Sequence, residues 1–250
     1  MTTSPLCMVI GGLDPSGGAG LIADIRAVSA FNCDAAAVVT SVTFQNATEF
    51  FGAEHQTPDS VSRQIDAVLS SSTLAAIKTG MLPTAEIVRA VADRVGRSGA
   101  PIVIDPVIRS TSGGTLMDES AVSALLDELI PLATLITPNV PEAELLTGVQ
   151  IASDKDAESS ARKLFKTGAR AVLIKGGHAK GTMIPGHDLL FTHEGMVRFE
   201  SADLKTTKRG TGCTLASAIA ANLALGVEID EAVGVAKRFL TRLLLERAPD

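Results

Sequence analysis

The sequence predicts an α/β protein with a mainly parallel sheet and helices on both faces. Three observations predict it. Short apolar runs alternate with amphipathic stretches along almost all of the 250 residues. Glycine and proline punctuate the boundaries. The polar residues suited to chemistry follow the apolar runs, where open sheets of this kind bind their ligands.

Residues 7–11 form the first strand, ending in glycines, and a loop leads into a helix running to about residue 31. Residues 35–44, rich in Val and Thr, suit a second strand. Residues 58–71 read as a helix, with Pro58 in the first turn and Val61, Ile65, Val68 and Leu69 on one face. A strand at 75–79 precedes a helix at 84–97 carrying Ile87, Val88, Val91 and Val95. A buried strand at 102–104, a helix at 119–129 and a strand at 134–137 follow, with a short helix at 143–147. Ser153 opens the next helix through a capping box, because Asp156 lies three residues on. Residues 171–175 are a strand, 189–192 and 196–199 a hairpin around His193-Glu194-Gly195, and 212–225 and 229–247 the closing helices. No linker, composition shift or repeat divides the chain, so residues 1–250 read as one domain.

Composition narrows the function classes. Lys plus Arg total 22 against 28 Asp plus Glu, a net charge of −6 with no basic run, which argues against nucleic acid and anionic membranes. Phe is the only aromatic of the Phe, Tyr and Trp set, leaving few platforms for base stacking. No apolar run approaches the ~18 residues of a membrane span. Cys7, Cys33 and Cys213 form neither a disulfide framework nor a zinc pattern, which suits a reducing compartment. The expectation is a cytoplasmic protein acting on a small molecule.

Two glycine loops stand out. Residues 11–20 read GGLDPSGGAG, five glycines in ten positions ahead of a helix. Free N–H groups there suit an anion or a polar substrate, and a flexible connection is the equal alternative. Gly18, Gly20 and Ala23 match a dinucleotide fingerprint poorly, because Asp14-Pro15 intervenes and no acidic residue follows at the required distance. A P-loop is excluded, since no Gly-Lys dipeptide occurs. The second loop, Arg209-Gly-Thr-Gly-Cys-Thr214, directly precedes a helix. Gly210, Thr211 and Gly212 there allow successive amides to converge on a phosphoryl group, aided by the helix dipole. The competing reading is a simple N-cap using Thr211 or Thr214. Cys213, in the first turn, is expected to have a lowered pKa, with a small buried hydrophobe as its other reading.

Further candidates sit at strand ends. Asn139 and Glu142, held in a loop fixed by two prolines, offer oxygens to a metal or its waters; equally, they cap the helix and complement its dipole. Asp105, alone a turn residue, makes with Glu142 the carboxylate pair that Mg²⁺ favours. Lys175, followed by Gly176, Gly177 and His178, is placed to meet a nucleotide phosphate. The four histidines show no metal spacing and are read as non-catalytic.

Taken in order, Asp14-Pro-Ser-Gly-Gly-Ala-Gly20 with Ala23-Asp24, Gln45-Asn46, Lys78-Thr-Gly-Met81, Asp105-Pro106, Pro138-Asn-Val-Pro-Glu142, Lys175-Gly-Gly-His178, Asp188-Leu-Leu-Phe191 and Gly210-Thr-Gly-Cys-Thr214 span nearly the whole chain. The ordered set resembles the ribokinase-like superfamily, most nearly the hydroxymethylpyrimidine and phosphomethylpyrimidine kinases of thiamine biosynthesis. The resemblance implies a three-layer α/β/α fold and transfer from ATP with Mg²⁺, first to the hydroxymethyl group and then to the monophosphate. It also implies a homodimer. It assigns Gln45 to the aminopyrimidine edge, Asp24 to the substrate's polar groups, Met81 to its ring and Gly12 to a further substrate contact. Gly210, Thr211 and Gly212 become the anion hole and Cys213 the base or orienting group. Lys175, with Asn139 and Asp105, becomes the nucleotide-phosphate site, and Glu142 and Asp105 the metal ligands. Ile22 stands where a glutamine is usual, and Lys208-Arg209 where Thr-His is usual; Arg209 either favours a phosphorylated substrate or lies in solvent. A pyridoxal or pyridoxine kinase, and a non-catalytic sensor of a pyrimidine or nucleotide, are the competing readings.

Overall fold

The computed structural model describes residues 4–46, 48–109, 114–176, 187–200 and 209–246. Among them, nine strands form one sheet in the order β3-β2-β1-β4-β5-β6-β7-β8-β9. The first strands are β1 (Leu6–Leu13), β2 (Asp34–Gln45), β3 (Phe50–His55), β4 (Ala76–Thr79) and β5 (Ile102–Ile104). They are followed by β6 (Leu135–Ile136), β7 (Val172–Ile174), β8 (Asp188–Thr192) and β9 (Gly195–Phe199). Pairings from β2 through β7 are parallel, whereas β3 at one edge and β8 and β9 at the other run antiparallel. The mainly parallel sheet with helices on both faces is therefore as expected from the sequence.

Alternation along β1 divides the core. Met8 and Ile10 face one apolar layer and Cys7 and Val9 the other, because successive side chains of a strand point to opposite sides. The first layer is closed by α2 (Pro58–Leu69), α3 (Ala85–Val95), α4 (Glu119–Ala124), α5 (Val140–Thr147) and α6 (Asp154–Lys166). The second is closed by α1 (Gly20–Ser29), α7 (Thr211–Ala224) and α8 (Ile229–Leu245). None of the helices among the described residues is long and apolar enough to cross a membrane.

Local chemistry sets the helix starts. Thr57, Thr84 and Asp118 each accept a backbone N–H in the first turn of α2, α3 and α4. Ser153 does the same for α6, and its hydroxyl in turn donates to Asp156 at 2.7 Å.

Two elements differ from the sequence reading. The helix expected over 119–129 stops at Ala124 and continues as one π turn, Leu125–Leu129, before a 3-10 turn containing Pro131. The wider turn lets Leu125, Leu129 and Ile130 all face the core, and proline bars further helix. Strand β3 lies where no element was expected. Its sequence, FFGAEH, does not alternate cleanly, and it is held by pairing with β2 at an exposed edge.

The parallel order reverses between β2-β1 and β4, so a crevice opens beyond the carboxyl ends of β1 and β4. Truncation of the fully buried Leu129 to Ala should cost about 2–5 kcal/mol in urea unfolding. Phe51→Ser on the exposed edge should change stability by less than about 0.5 kcal/mol.

Candidate active site

The crevice is a cavity of about 230 Å³ lined from both ends of the chain. Asp14, just past β1, folds its first wall. Its carboxylate accepts from Ser16 N and Oγ and from Ala19 N at 2.7–3.0 Å, which curls the glycine-rich loop over the sheet end. Two glycines then permit contacts no other residue would allow. Gly20 has φ +58°, and a Cβ there would lie 2.3 Å from Gly12 O. Gly210 has φ +75°, and a Cβ there would lie 2.1 Å from Gly18 O. The two glycine loops therefore pack backbone to backbone, and α7 begins against the start of α1.

Gly210 is the N-cap of α7 and no side chain caps that helix, so the simple threonine cap is not what forms. Gly212 faces the Lys175 end of the cavity: a Cβ there would sit 3.1 Å from Lys175 Nζ and 3.7 Å from Asp105 Oδ2. Cys213 lines the same cavity, with the Gly20 amide near its sulfur. The lowered thiol pKa expected from its place in the first turn is overturned. Desolvation pushes the thiol up to about 11, and the attraction of Lys78 and the Gly20 amide only partly offset it.

Beneath Cys213 lies a buried ion pair. Lys78 Nζ meets both oxygens of Asp24 at 2.8 Å, and Ser217 Oγ donates to Asp24 Oδ1 at 2.8 Å. Burial opposes both charges, but Asp24 holds the Lys78 ammonium above its usual pKa. Asp24 was expected at the substrate's polar groups. It reaches the cavity floor, but with both carboxylate oxygens already engaged.

At the other end, Lys175 Nζ pairs with Asp105 Oδ1 at 2.8 Å, and Thr137 Oγ1 supports the same oxygen at 3.3 Å. Burial works against the Asp105 anion, yet Lys175 and Lys78 keep its pKa below the usual carboxylate range. Asn139 and Glu142 do form the reciprocal helix cap: Asn139 Oδ1 accepts Glu142 N at 2.9 Å and Glu142 Oε2 accepts Asn139 N at 2.8 Å. The Glu142 side chain still faces the cavity, and burial pushes its carboxyl up to about 7 despite Lys175.

The end of the cavity away from Lys175 is framed by Gly12, Met81 and Gln45, the first two so close that a Cβ on Gly12 would meet Met81 Sδ at 3.0 Å. Gln45 Nε2 donates to Thr43 Oγ1 at 2.8 Å. Arg209 does not lie in solvent. It donates to Gln45 Oε1 and Asn46 O and stands 3.7 Å from Asp14 Oδ2. Ile22 lies in α1, away from the cavity lining. Of the expected residues, Gly177, His178 and Lys208 lie outside the described residues. None of the described histidines lines the cavity.

Sequence reasoning missed the roles of Lys78 and Ser217, and also Phe50 and Arg109 in the lining. Lys78 carried a usable signal, since a lysine inside a four-residue buried strand requires a buried counter-charge. Ser217 carried none, being one small residue among many in α7.

Comparison with known proteins adds to this geometry. The model of the phosphomethylpyrimidine kinase family matches residues 14–249. The chain belongs to that family. It is a phosphotransferase of thiamine biosynthesis, so the reading as a non-catalytic sensor is not retained. A hydroxymethylpyrimidine/phosphomethylpyrimidine kinase of Rhizobium meliloti (strain 1021) is 43% identical over 94% of this chain and 88% of its own length. The crystal structure of phosphomethylpyrimidine kinase from Clostridium difficile 630 superposes with TM-score 0.86 at 35% identity, covering 96% of this chain and all of that one. Pyridoxal kinase from Staphylococcus aureus, in complex with AMP-PCP and pyridoxal, superposes with TM-score 0.85 at 30% identity, covering 95% and 87%. The ribokinase-like fold expected from the ordered motifs is thus the fold of the chain.

Two outcomes follow from the electrostatics. Glu142 holds its proton in the folded protein up to about pH 7 but loses it near 4.5 when unfolded. Folding therefore binds a proton between these values, and its contribution to stability falls as pH rises through that window. Urea midpoints measured from pH 4.5 to 7.5 should show Glu142→Gln declining less than wild type. For Cys213, a thiol near 11 rather than 9.0 implies about 100-fold less thiolate at neutral pH. Iodoacetamide should label it about that much more slowly than a free thiol, as followed by mass spectrometry.

Proposed function

We propose that this cavity transfers the γ-phosphoryl group of ATP to the hydroxymethyl group of 4-amino-5-hydroxymethyl-2-methylpyrimidine, and then a second one to the resulting monophosphate. The observation that carries this reading is the shared cavity. Gln45 and Met81 at one end, Lys175 and Asp105 at the other, and the start of α7 between them all line one space.

In this reading Gln45 keeps Thr43 and Arg209 as partners and turns its second amide hydrogen and second oxygen lone pair to the aminopyrimidine edge, while Met81 and the Gly12 backbone pack on the ring. Asp24 acts one layer below, through Lys78, because its oxygens are engaged. The amides of Gly210, Thr211 and Gly212 receive the moving phosphoryl group, whose charge spreads over its equatorial oxygens. The bond from phosphorus to the β,γ-bridging oxygen breaks as the bond to the hydroxymethyl oxygen forms. In a loose transition state the hydroxyl proton leaves late, to an oxygen of the transferred phosphoryl group, so a thiol pushed up to about 11 serves by orienting the hydroxyl.

Lys175 holds nucleotide phosphates. Asp105, Glu142 and Asn139 supply hard oxygen donors, and among the described residues no cluster of three or more acidic, His or Cys side chains forms a closed metal cage. That donor set fits Mg²⁺, which takes one or two carboxylates and completes its shell with water and phosphate. When bound, the ion neutralises charge on the phosphates. A homodimer belongs to the same reading and rests on the family resemblance, while a single kinase domain rests on a chain without linker or repeat and a cytoplasmic location on the three scattered cysteines.

Incubation with ATP and hydroxymethylpyrimidine should give a monophosphate followed by a diphosphate, resolved by chromatography. Accumulation of pyridoxal phosphate from pyridoxal, with no pyrimidine product, would favour the competing kinase. Cys213→Ala should lower kcat by about tenfold, the worth of one orienting hydrogen bond; near-normal turnover would remove Cys213 from both base and orienting roles.

A further inference from the structure

The nucleotide-facing Lys175 is followed by Gly176, and this step of the chain is tied from outside the cavity. Asp188, the first residue of β8, accepts Gly176 N on Oδ1 at 2.9 Å and Lys237 Nζ on Oδ2 at 2.7 Å. Lys237 comes from the middle of α8, only 7% exposed, and does not line the cavity. A Cβ at Gly176 would fall 1.8 Å from His187 O, so the two segments touch here backbone to backbone.

The position of this tie gives it meaning. The paired register of β7 and β8 ends at Ile174 and Leu189, one residue before Lys175. Lys175 N is held by Pro138 O at 2.9 Å on one side, and beyond it the Asp188 carboxylate takes over from the sheet ladder. With one oxygen on Gly176, the carboxylate can still rotate. Lys237 pins the second oxygen and fixes the rotamer. A buried ion pair adds little net stability over an apolar pair of similar volume, so orientation is what this pair contributes.

The geometry points to Lys237 as a positioning residue for the phosphate end of the kinase site, acting through Asp188 and the Gly176 amide on Lys175. This rests on Lys175 holding nucleotide phosphates, as proposed above. The test is steady-state kinetics of the full chain with ATP and the pyrimidine varied separately. Lys237→Met should raise KM for ATP about tenfold, the worth of one lost hydrogen bond, with KM for the pyrimidine unchanged within about twofold.

Two double variants carry no charge at this site and stay comparable even if Lys237→Met folds poorly. Asp188→Asn with Lys237→Met keeps an oxygen for Gly176 N but loses the side chain that fixes its rotamer, and should raise KM for ATP by only about threefold. Asp188→Ala with Lys237→Met has no acceptor and should stay about tenfold raised. Equal KM for ATP in the two doubles, or a parallel rise in both KM values, would overturn the inference. Lys175→Met separates the two levels. If it leaves KM for ATP unchanged, the phosphate role of Lys175 fails and the inference with it. If it raises that KM while the doubles match, only the role of Lys237 fails.

Discussion

The ion pair between Lys78 and Asp24 is the point to which the rest of the site is referred. It joins the sheet, through β4, to the helices α1 and α7 that carry the two glycine loops. Both side chains are about 1% exposed, and removing either would leave a buried charge alone, a loss of about 3–5 kcal/mol. The pair sets how far α1 and α7 stand from the sheet end, and so where Gly20 and Cys213 meet. The close packing of Gly210 on Gly18 depends on that spacing holding to within tenths of an ångström.

From this anchor, charges alternate across the cavity floor: Asp24, Lys78, Asp105, Lys175, Glu142. Each cation lies between acids, which keeps both lysines protonated at neutral pH. The acids are unequal. Asp105, next to two cations, stays ionised, while Glu142 at the end of the row retains its proton nearer to neutrality. The half-buried thiol sits above this row, and its desolvation explains why the dipole argument alone gave the wrong sign for it.

Much of this was legible in the sequence because the fold places chemistry at strand ends. β5 was read with its true boundaries, and Asn139, Lys175 and Gly210 to Cys213 fell on one cavity as expected. What escaped reading depends on distant partners. β3 owes its conformation to pairing with β2, and the π turn at Leu125–Leu129 owes its width to core contacts. Arg209 turned inward through Gln45, a residue 164 positions away, and no local pattern specifies that. Asp24 was placed at the substrate by the family resemblance, and its bond to Lys78, 54 positions away, is again a distant partner.

The separation of partners has a kinetic side. Ser217 closes on Asp24 across 193 positions, and long-range contacts of this kind form late and slowly. Ribosomal synthesis delivers β1 to β4 first, with the buried aspartate still lacking a serine. The cavity thus gains its second glycine wall only when α7 docks, so a chain cut short before α7 lacks Gly210 to Cys213 altogether.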